Sequence, residues 1–435
     1  MGTTDTPAPN TPAPGTPGTG TRATDATGPA GAPDNPDHPD NPGNPDNRDT
    51  AHPAPGLPAA ALRLLRAAGF VSNFDRFCIT PMLLLIGTQL GVPLSAVMPA
   101  VGGYFLCYGL MQPVWGLAGD RLGRVRVMRL SLAGAAVASL ASALAPDAPV
   151  LIVARAAAGA FFAASIGASL TYVGDTVPAA VRQRPLSELM TAFALGTAVA
   201  TVVAGALAHY VSWRPVFALP GLIAVCLTVA LRRLPEPARP PAGSLFAPIR
   251  VVLRSGRQWY VMAVAMLEGA VLLGFLTYVA PALESQGASA TLAGAVSALY
   301  GVGSMAAARM VKRLVGRWTP VRLIVAGGVQ MGLGFGVAAG SRSVPALALT
   351  ALLLGGGWSF MHSTIQSWAT ALSPTARATG VAMFGLALYV GSALAGTLAA
   401  APAEHHAYQG LFLTAAVLTV PLTLAAAVGR ARYRG

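Results

Sequence analysis

Twelve apolar stretches of about 20 residues follow one another along this 435-residue chain from about residue 68 onward. At 1.5 Å per residue, a helix of that length crosses a hydrocarbon layer of about 30 Å. The stretches are too long for buried strands and lack the alternation of a lipid-facing barrel, and backbone in lipid must satisfy its own hydrogen bonds. The sequence therefore predicts an all-α membrane protein. Its spans lie near residues 68–90, 95–118, 127–145, 149–172, 187–208, 214–232, 259–283, 290–311, 320–340, 345–369, 378–400 and 407–429.

The basic residues orient these spans. Only 10% of the chain is charged, the net charge is +13, and every basic residue except Lys312 is an arginine. Loops on one side carry nearly all the spans' flanking arginines, whereas the opposite loops carry only Arg214 and Arg342. Because cytoplasmic loops are enriched in basic residues, both termini are predicted to be cytoplasmic. The positive charge is thus an orientation signal, and nucleic-acid binding is excluded.

The segments outside the spans divide the chain into five parts. Residues 1–58 are rich in Pro, Gly, Thr, Ala, Asp and Asn, lack the apolar core of a signal peptide, and predict a disordered cytoplasmic tail, with a partner-binding tail as the alternative. The other predicted parts are an N-terminal six-helix half, a cytoplasmic central loop, a C-terminal six-helix half and a cytoplasmic C-terminus. Their boundaries are 59–232, 233–258, 259–429 and 430–435.

An internal repeat relates the two halves. The segments GRVRVMRLSLAG, starting at residue 123, and GRWTPVRLIVAG, starting at residue 316, share the pattern G-R-x-x-x-[M/V]-R-L-x-x-A-G. The same offset pairs Asp75 in the first span with Glu268 in the seventh. Parallel repeats of this kind place a substrate site between the halves, near the middle of the bilayer.

The loop between spans 2 and 3 resembles the signature loop of the major facilitator superfamily, roughly G-x-x-x-D-R-x-G-R-[K/R]. Gly116, Asp120, Arg121, Gly123 and Arg124 carry the resemblance. It implies the twelve-helix transporter fold of that superfamily, with the two halves rocking about a central cavity. It also implies that Asp120 faces the N-terminus of helix 11 when the cytoplasmic side is closed, where the positive helix end favours a carboxylate.

In that reading Gly116 permits the close approach, and Asp120 pairs with Arg124 within the turn. The loop then biases the protein toward its outward-open form. The alternative is a charged, positive-inside turn with no gating role. The second half has Arg313 where an acid would stand, so it should lack the equivalent latch.

Two further segments resemble motifs in the first and fourth helices of that superfamily. LIVARAAAGAF at 151–161 is similar to the superfamily's helix-4 motif, and NFDRF at 73–77 looks like the first-helix pattern of its drug:proton antiporters, a branch that also resembles sugar exporters. Antiporters of that kind often carry G-x-x-x-G-P-x-x-G-G in helix 5, whereas residues 196–205 read GTAVATVVAG. The chain therefore departs from the antiporter pattern in its fifth helix.

Ionisable residues deep in the spans are the candidate site, because a charge at the bilayer centre costs at least about 2.5–3.5 kcal/mol and should face the interior or water. They are Asp75, Arg76, Arg155, Glu268 and His362. Asp75 is the predicted proton-binding residue, and the alternative is a permanent ion pair with Arg155 or Arg76. Counting residues from the predicted span ends places Asp75 nearer the inner end and Arg155 nearer the outer end.

The second half contributes two further candidates. Glu268 is predicted to be a second proton carrier or to bind a cationic group, with a neutral, hydrogen-bonded carboxyl as the alternative. His362 and Gln366 lie in the segment FMHSTIQSW and predict a polar patch facing the substrate, with simple packing as the alternative. Arg76 and Arg155 are expected to line the same cavity, where Arg155 anchors an anion or Asp75.

No nucleotide-binding, dinucleotide-binding, zinc-protease or Ser/His/Asp motif is present in the sequence. We therefore expect no enzymatic activity, no catalytic residues, no cofactor and no metal. The predicted function is export of a small amphipathic organic compound, coupled to protons or another ion, by a monomer in the cell membrane. The alternatives are an uptake symporter or uniporter of a small metabolite and a membrane sensor that does not transport.

Overall fold

A computed structural model of the chain describes residues 57–178, 180–237, 246–373 and 376–433. Within those residues the chain forms helices and no β-sheet, and twelve helices are long and apolar enough to cross a membrane. We number them α1 to α12. Their bounds are Ala59–Leu90, Leu94–Leu122, Arg124–Leu144, Ala148–Thr176, Gln183–Tyr210, Arg214–Arg233, Gly256–Glu284, Ala290–Leu314, Pro320–Gly340, Val344–Leu372, Arg377–Leu398 and Tyr408–Arg432.

The prediction of twelve spans is confirmed, and the bounds differ most at two places. Helix α1 begins at Ala59 instead of near residue 68. The central loop contains a short helix, Phe246–Leu253, before α7 begins at Gly256. The predicted disordered tail falls almost wholly on residues 1–56, which lie outside the described residues, as does 238–245.

Helices α1 and α7, the first of each half, are both interrupted. Helix α1 is α-helical to Phe77, tightens into a 3-10 turn over Thr80–Met82 and resumes over Leu83–Leu90. Pro81 lies in that turn and has no backbone N–H to continue the ladder of hydrogen bonds. Helix α7 passes through a π-helical turn at Ala270–Gly274, directly after Glu268. Such interruptions leave backbone groups available where a helix lines a site.

Most arginines of the described residues flank one end of the helix bundle, together with the first and last described residues, Leu57 and Tyr433. We call this the basic end, and the other is the opposite end. Small residues let the two halves approach closely near the opposite end. A Cβ at Gly205 of α5 would overlap the Ala290 carbonyl of α8, and a Cβ at Gly294 of α8 would overlap the Thr201 carbonyl of α5. These positions accept only glycine, so α5 and α8 are in backbone contact there.

Helices α2 and α11 form a second close contact between the halves. Gly102 of α2 faces Thr397 and Ala393 of α11, and Gly109 faces Tyr389 and Leu386. Further along α2 the packing changes, because a Cβ at Gly116 would meet no described atom within 4 Å. The contacts between halves described here therefore lie from the middle of the bundle to the opposite end.

Candidate functional site in the middle of the bundle

Asp75 of α1 and Arg155 of α4 form a fully buried ion pair. Arg155 Nη1 donates to both carboxylate oxygens of Asp75 at 3.0 Å, and its Nη2 donates to the Asp75 backbone carbonyl at 2.6 Å. Ser139 of α3 adds a hydrogen bond to Oδ1 at 3.0 Å. Both charged side chains are 0% exposed. The carboxylate is thus charge-balanced by Arg155 and hydrogen-bonded by two neighbouring helices.

This pair corrects the predicted depths. The sequence predicts Asp75 and Arg155 at different depths in the membrane, because its first apolar span begins near residue 68. With α1 beginning at Ala59, Asp75 lies 16 residues into the helix, about 24 Å from its first residue. Arg155 lies seven residues into α4, about 10 Å from the first residue of that helix, which is at the opposite end of the bundle. The two side chains therefore meet, with Asp75 halfway along α1.

Arg76, the next residue of α1, points at the other half of the protein. Its Nη1 donates to the Tyr389 hydroxyl of α11 at 2.8 Å. Its guanidinium lies over the Tyr108 ring, 4.0 Å from the ring centroid, and within 5.8 Å of Phe77. The residue is 7% exposed, and its Nε and Nη2 atoms are buried with no hydrogen-bond partner among the described residues. Arg76 is therefore a buried cation held by aromatic rings and by one hydroxyl.

Glu268 of α7 pairs with His362 of α10. The His362 Nδ1 atom and the Glu268 Oε2 atom are 3.2 Å apart, whereas Glu268 Oε1 is buried with no described partner. The imidazole stacks on Trp358 with ring centroids 3.6 Å apart, and it lies 5.4 Å from Phe384. The side chain of Glu268 is 0% exposed and that of His362 is 12% exposed. The sequence predicted both residues as candidates but did not predict that they pair.

The pair of Glu268 and His362 lies in the middle of its two helices. Glu268 is 12 residues into α7 and His362 is 10 residues before the last residue of α10, so each is about 15–18 Å from the basic end of its helix. The polar face of α10 continues toward that end through the partly buried Gln366 and the exposed Ser363 and Ser367. His362 is thus the partly exposed member of its pair, and it adjoins a polar face.

The loop between α2 and α3 forms a charged network at the basic end. Asp120 pairs with Arg124 at 2.6 Å, as predicted, and Arg124 also contacts Asp175 of α4 at 3.2 Å. Gly123 has φ = 101°, a backbone conformation that disfavours any side chain, so it makes the sharp turn into α3. Arg121 follows Asp120 in the last turn of α2.

The contact predicted between this loop and the start of α11 is not formed in this structure. The Asp120 side chain is 53% exposed, and the space beside Gly116 is open. The prediction therefore concerns a different state, in which the basic ends of α2 and α11 meet.

Several residues that complete these clusters were not predicted from the sequence. Glu236, directly after α6, accepts hydrogen bonds from the backbone N–H groups of Val125 and Arg126 at 3.0 and 3.2 Å, and so caps the first turn of α3. Ser139 and Tyr389 were missed because single hydroxyl groups in apolar helices carry no periodic signal. Glu236 could have been found from its position, since it is an isolated acid beside a strongly basic loop.

The described residues contain no group of three His, Cys, Asp or Glu side chains placed to hold a metal ion. The site instead offers two buried carboxylates, each against a basic group, and one cation without an anionic partner. This arrangement can bind and release protons and can bind a charged organic molecule.

Comparison with known proteins agrees with this geometry. The family model of the Major Facilitator Superfamily matches residues 66–396 and, in a second alignment, residues 278–433. The chain is 30% identical over 194 residues to the multidrug efflux pump LfrA of Mycolicibacterium smegmatis, covering 44% of this chain and 38% of that protein. It is 26% identical over 363 residues to the 3-(3-hydroxy-phenyl)propionate transporter of Escherichia coli, covering 76% of this chain and 87% of that protein.

The fold has counterparts among solved structures. A bacterial homologue of the human lysosomal transporter Spinster, in an inward-facing and unoccupied conformation, superposes with a TM-score of 0.68 at 18% identity. That superposition covers 86% of this chain and 98% of the other. At this level of identity the likeness concerns the fold, which is common to transporters of many substrates.

Proposed function

This chain belongs to the Major Facilitator Superfamily, and the relatives that it matches are transporters and not enzymes, so we propose that it is a proton-coupled exporter of a small amphipathic organic compound. The observation that carries the proposal is the presence of two fully buried carboxylates, Asp75 and Glu268, in the first helix of each half. Intramembrane acids paired across helices mark proton relays and substrate paths.

The proposed orientation follows the arginines. With the basic end in the cytoplasm, the protein lies in the cell membrane with both termini inside. The close contacts of α5 with α8 and of α2 with α11 then seal the outer side, and the open space beside Gly116 belongs to an inward-open state. Rocking of one half against the other would exchange this state for an outward-open one.

The proposed coupling uses both buried pairs. While Arg155 stays on Asp75, the two opposite charges balance each other. If a bound substrate draws Arg155 away within this half, the Asp75 carboxylate loses that counter-charge and binds a proton, because an isolated charge in this environment is costly. Glu268 and His362 form the second step, in which the partly exposed imidazole connects the carboxylate to water.

The proposed gate is the loop made by Gly116, Asp120, Arg121, Gly123 and Arg124. In the outward-open state Asp120 would face the first turn of α11, which begins at Arg377. A carboxylate at a helix N-terminus contributes about 0.3–1 kcal/mol. That is enough to shift a balanced two-state equilibrium severalfold.

A second candidate is uptake of an organic acid by the same machinery. It is favoured by the similarity to a transporter of 3-(3-hydroxy-phenyl)propionate, which spans 76% of this chain, and by the unpaired cation Arg76. Either direction can be driven by the membrane potential, which supplies about 2.3 kcal/mol per charge per 100 mV.

Susceptibility of an efflux-deficient bacterium tests the proposal and separates the two directions. Cells expressing the protein, its Asp75→Asn variant or its Glu404→Gln variant would be challenged with a broad panel of toxic compounds, including toxic organic acids. Glu404 is the matched control because it lies in the short helix Ala400–Glu404, outside the site. Export predicts increased tolerance that Asp75→Asn abolishes and Glu404→Gln retains. Increased sensitivity would establish uptake, and an unchanged response to the whole panel, at equal expression, would contradict drug export.

A further inference from the structure

Arg76 presents an unused edge of its guanidinium. In an arginine side chain, Nε and Nη2 lie on the same edge and donate in parallel, which matches the two oxygens of a carboxylate. In this structure both of these atoms are buried without a described partner, while Nη1 is occupied by the Tyr389 hydroxyl. Arg155 differs, because both of its Nη atoms are bonded to Asp75.

The charges in the middle of the bundle leave Arg76 without an anion. Asp75 is paired with Arg155, and Glu268 is paired with His362. Among the described residues, no carboxylate oxygen lies within 4.0 Å of an Arg76 nitrogen. A buried cation without a counter-charge is costly, so a molecule that brings a negative charge gains by binding there.

The surroundings of Arg76 are aromatic. The Tyr108 ring lies under the guanidinium, the Tyr389 ring lies 5.4 Å from it, and Phe105 stacks on Tyr389 with ring centroids 5.9 Å apart. The nearby Tyr104 hydroxyl is also buried without a described partner and can donate to the same anion. Aromatic rings around a guanidinium suit a molecule that has one carboxylate and an aromatic or aliphatic apolar part.

The site is collapsed in this state. The cavity that adjoins it, lined in part by Phe77, Phe105 and Tyr300, has a volume of about 20 Å³, which is room for a single water. Binding of an organic molecule therefore requires the two halves to part around Arg76, as they would on rocking. Tyr389 belongs to the half that would move away, so the change also releases Nη1.

From these observations we infer that Arg76 is the anchor for the carboxylate of an amphipathic organic anion, and that such anions are the substrate class of this transporter. The inference rests on the proposed transport function, but it does not depend on direction or on the coupling ion. Arg76 binds the substrate, and Tyr108 and Tyr104 position it and supply the surrounding aromatic wall.

Binding of three probes of the same shape tests the inference. The full-length protein in lipid nanodiscs would be titrated with 3-phenylpropionate, 3-phenylpropionamide and 3-phenylpropylamine, which are an anion, a neutral amide and a cation. We expect the acid to bind at least about tenfold more tightly than the amide, because hydrogen bonds to a charged partner are the strong ones. We expect the amine to bind least well, because Arg76 repels it.

Variants assign the preference to Arg76. Arg76→Gln should reduce the ratio of acid to amide affinity to about one, and Arg76→Lys should keep a smaller preference because lysine carries the charge without the fork. Arg129→Gln is the matched control, since Arg129 also has a buried, unpartnered Nε but lies in α3 near the basic end. Binding of the amide to Arg76→Gln, together with an unchanged elution volume, verifies that this variant is folded; if it does not fold, Arg76→Lys carries the comparison.

The inference is overturned if the amide or the amine binds as tightly as the acid, if Arg76→Gln or a folded Arg76→Lys keeps the full preference, or if none of the probes binds at about 10 mM. Its failure can be told from that of the proposed function by proton movement in liposomes. If the neutral or cationic probe drives proton flux that Asp75→Asn abolishes, coupled transport stands and the anion class falls. If the acid binds at Arg76 but no probe moves protons, the anion site stands and proton coupling falls.

Discussion

Arg76 and Tyr389 join the two halves of this protein through a 2.8 Å hydrogen bond in the middle of the bundle. One residue belongs to α1 and the other to α11, and 313 positions of sequence separate them. The bond stabilises the state in which the two halves are in contact at the opposite end of the bundle. Several consequences of this geometry can be measured.

Removing the Tyr389 hydroxyl should favour opening at the opposite end. A hydrogen bond that involves a charged group contributes about 1.5–3 kcal/mol, which corresponds to a change of at least about tenfold in the equilibrium between states. In Tyr389→Phe, spin labels at Gln89 and Gln409, two exposed residues at the opposite end, should show a larger population of long distances. Tyr210→Phe is the control, because that side chain is 76% exposed at the opposite end of α5 and no hydrogen bond of its hydroxyl is described. Equal distance distributions in both variants would rule out the latch.

Asp75 and Arg155 should be strongly coupled in stability. Removing one member of a buried pair costs about 3–5 kcal/mol, since the remaining charge is left uncompensated. Asp75→Asn and Arg155→Gln should each lower the thermal unfolding midpoint, and the double variant should lose less than the sum of the two. The exposed pair of Arg66 and Glu188, 3.4 Å apart, provides the comparison and should contribute under about 1 kcal/mol. Additive effects at Asp75 and Arg155 would mean that the pair is not formed.

The contact of α5 with α8 should tolerate only glycine. Gly205→Ala places a methyl group on the Ala290 carbonyl, so α5 and α8 must separate near the opposite end. We expect a loss of about 1–3 kcal/mol of stability, the usual cost of overpacking, or a shift toward the long distances between the labels at Gln89 and Gln409. Gly336→Ala is the control, because no described atom lies within 4 Å of that Cβ position. A Gly205→Ala protein identical to the wild type in both measurements would show that the helices are farther apart than described.

Glu236 should hold the first turn of α3 in place. Its carboxylate accepts from two backbone N–H groups, and loss of such a cap costs about 0.5–2 kcal/mol. Glu236→Ala should lower the unfolding midpoint and speed hydrogen exchange at the amides of Val125 and Arg126. Glu404→Ala should change neither quantity. Unchanged exchange at both amides in Glu236→Ala would place the cap elsewhere.

Much of the fold was predictable because its signal is local. Apolar runs of span length, arginines on alternate loops and a repeated Gly-Arg segment are all read along the chain, and they predicted twelve helices in two halves. The depth of Asp75 was not predictable, since the start of α1 lies in the segment 59–67, where Arg63 and Arg66 interrupt the apolar pattern. The pairing of Glu268 with His362 was also missed, because both positions were known but the rotation of α7 against α10 was not.

The sequence by itself determined that this chain spans a membrane twelve times, that its halves are related, and that Asp75, Arg76, Arg155, Glu268 and His362 are its buried ionisable candidates. Lipid imposes those features on any chain, because unsatisfied backbone groups and stray charges are costly there. Only the tertiary structure decided which charges meet. Arg155 pairs with Asp75, and His362 pairs with Glu268. Arg76 is hydrogen-bonded to Tyr389, and two of its guanidinium nitrogens have no described partner. Such partners are set by helix rotation and depth, and a shift of one residue turns a helical side chain by about 100°.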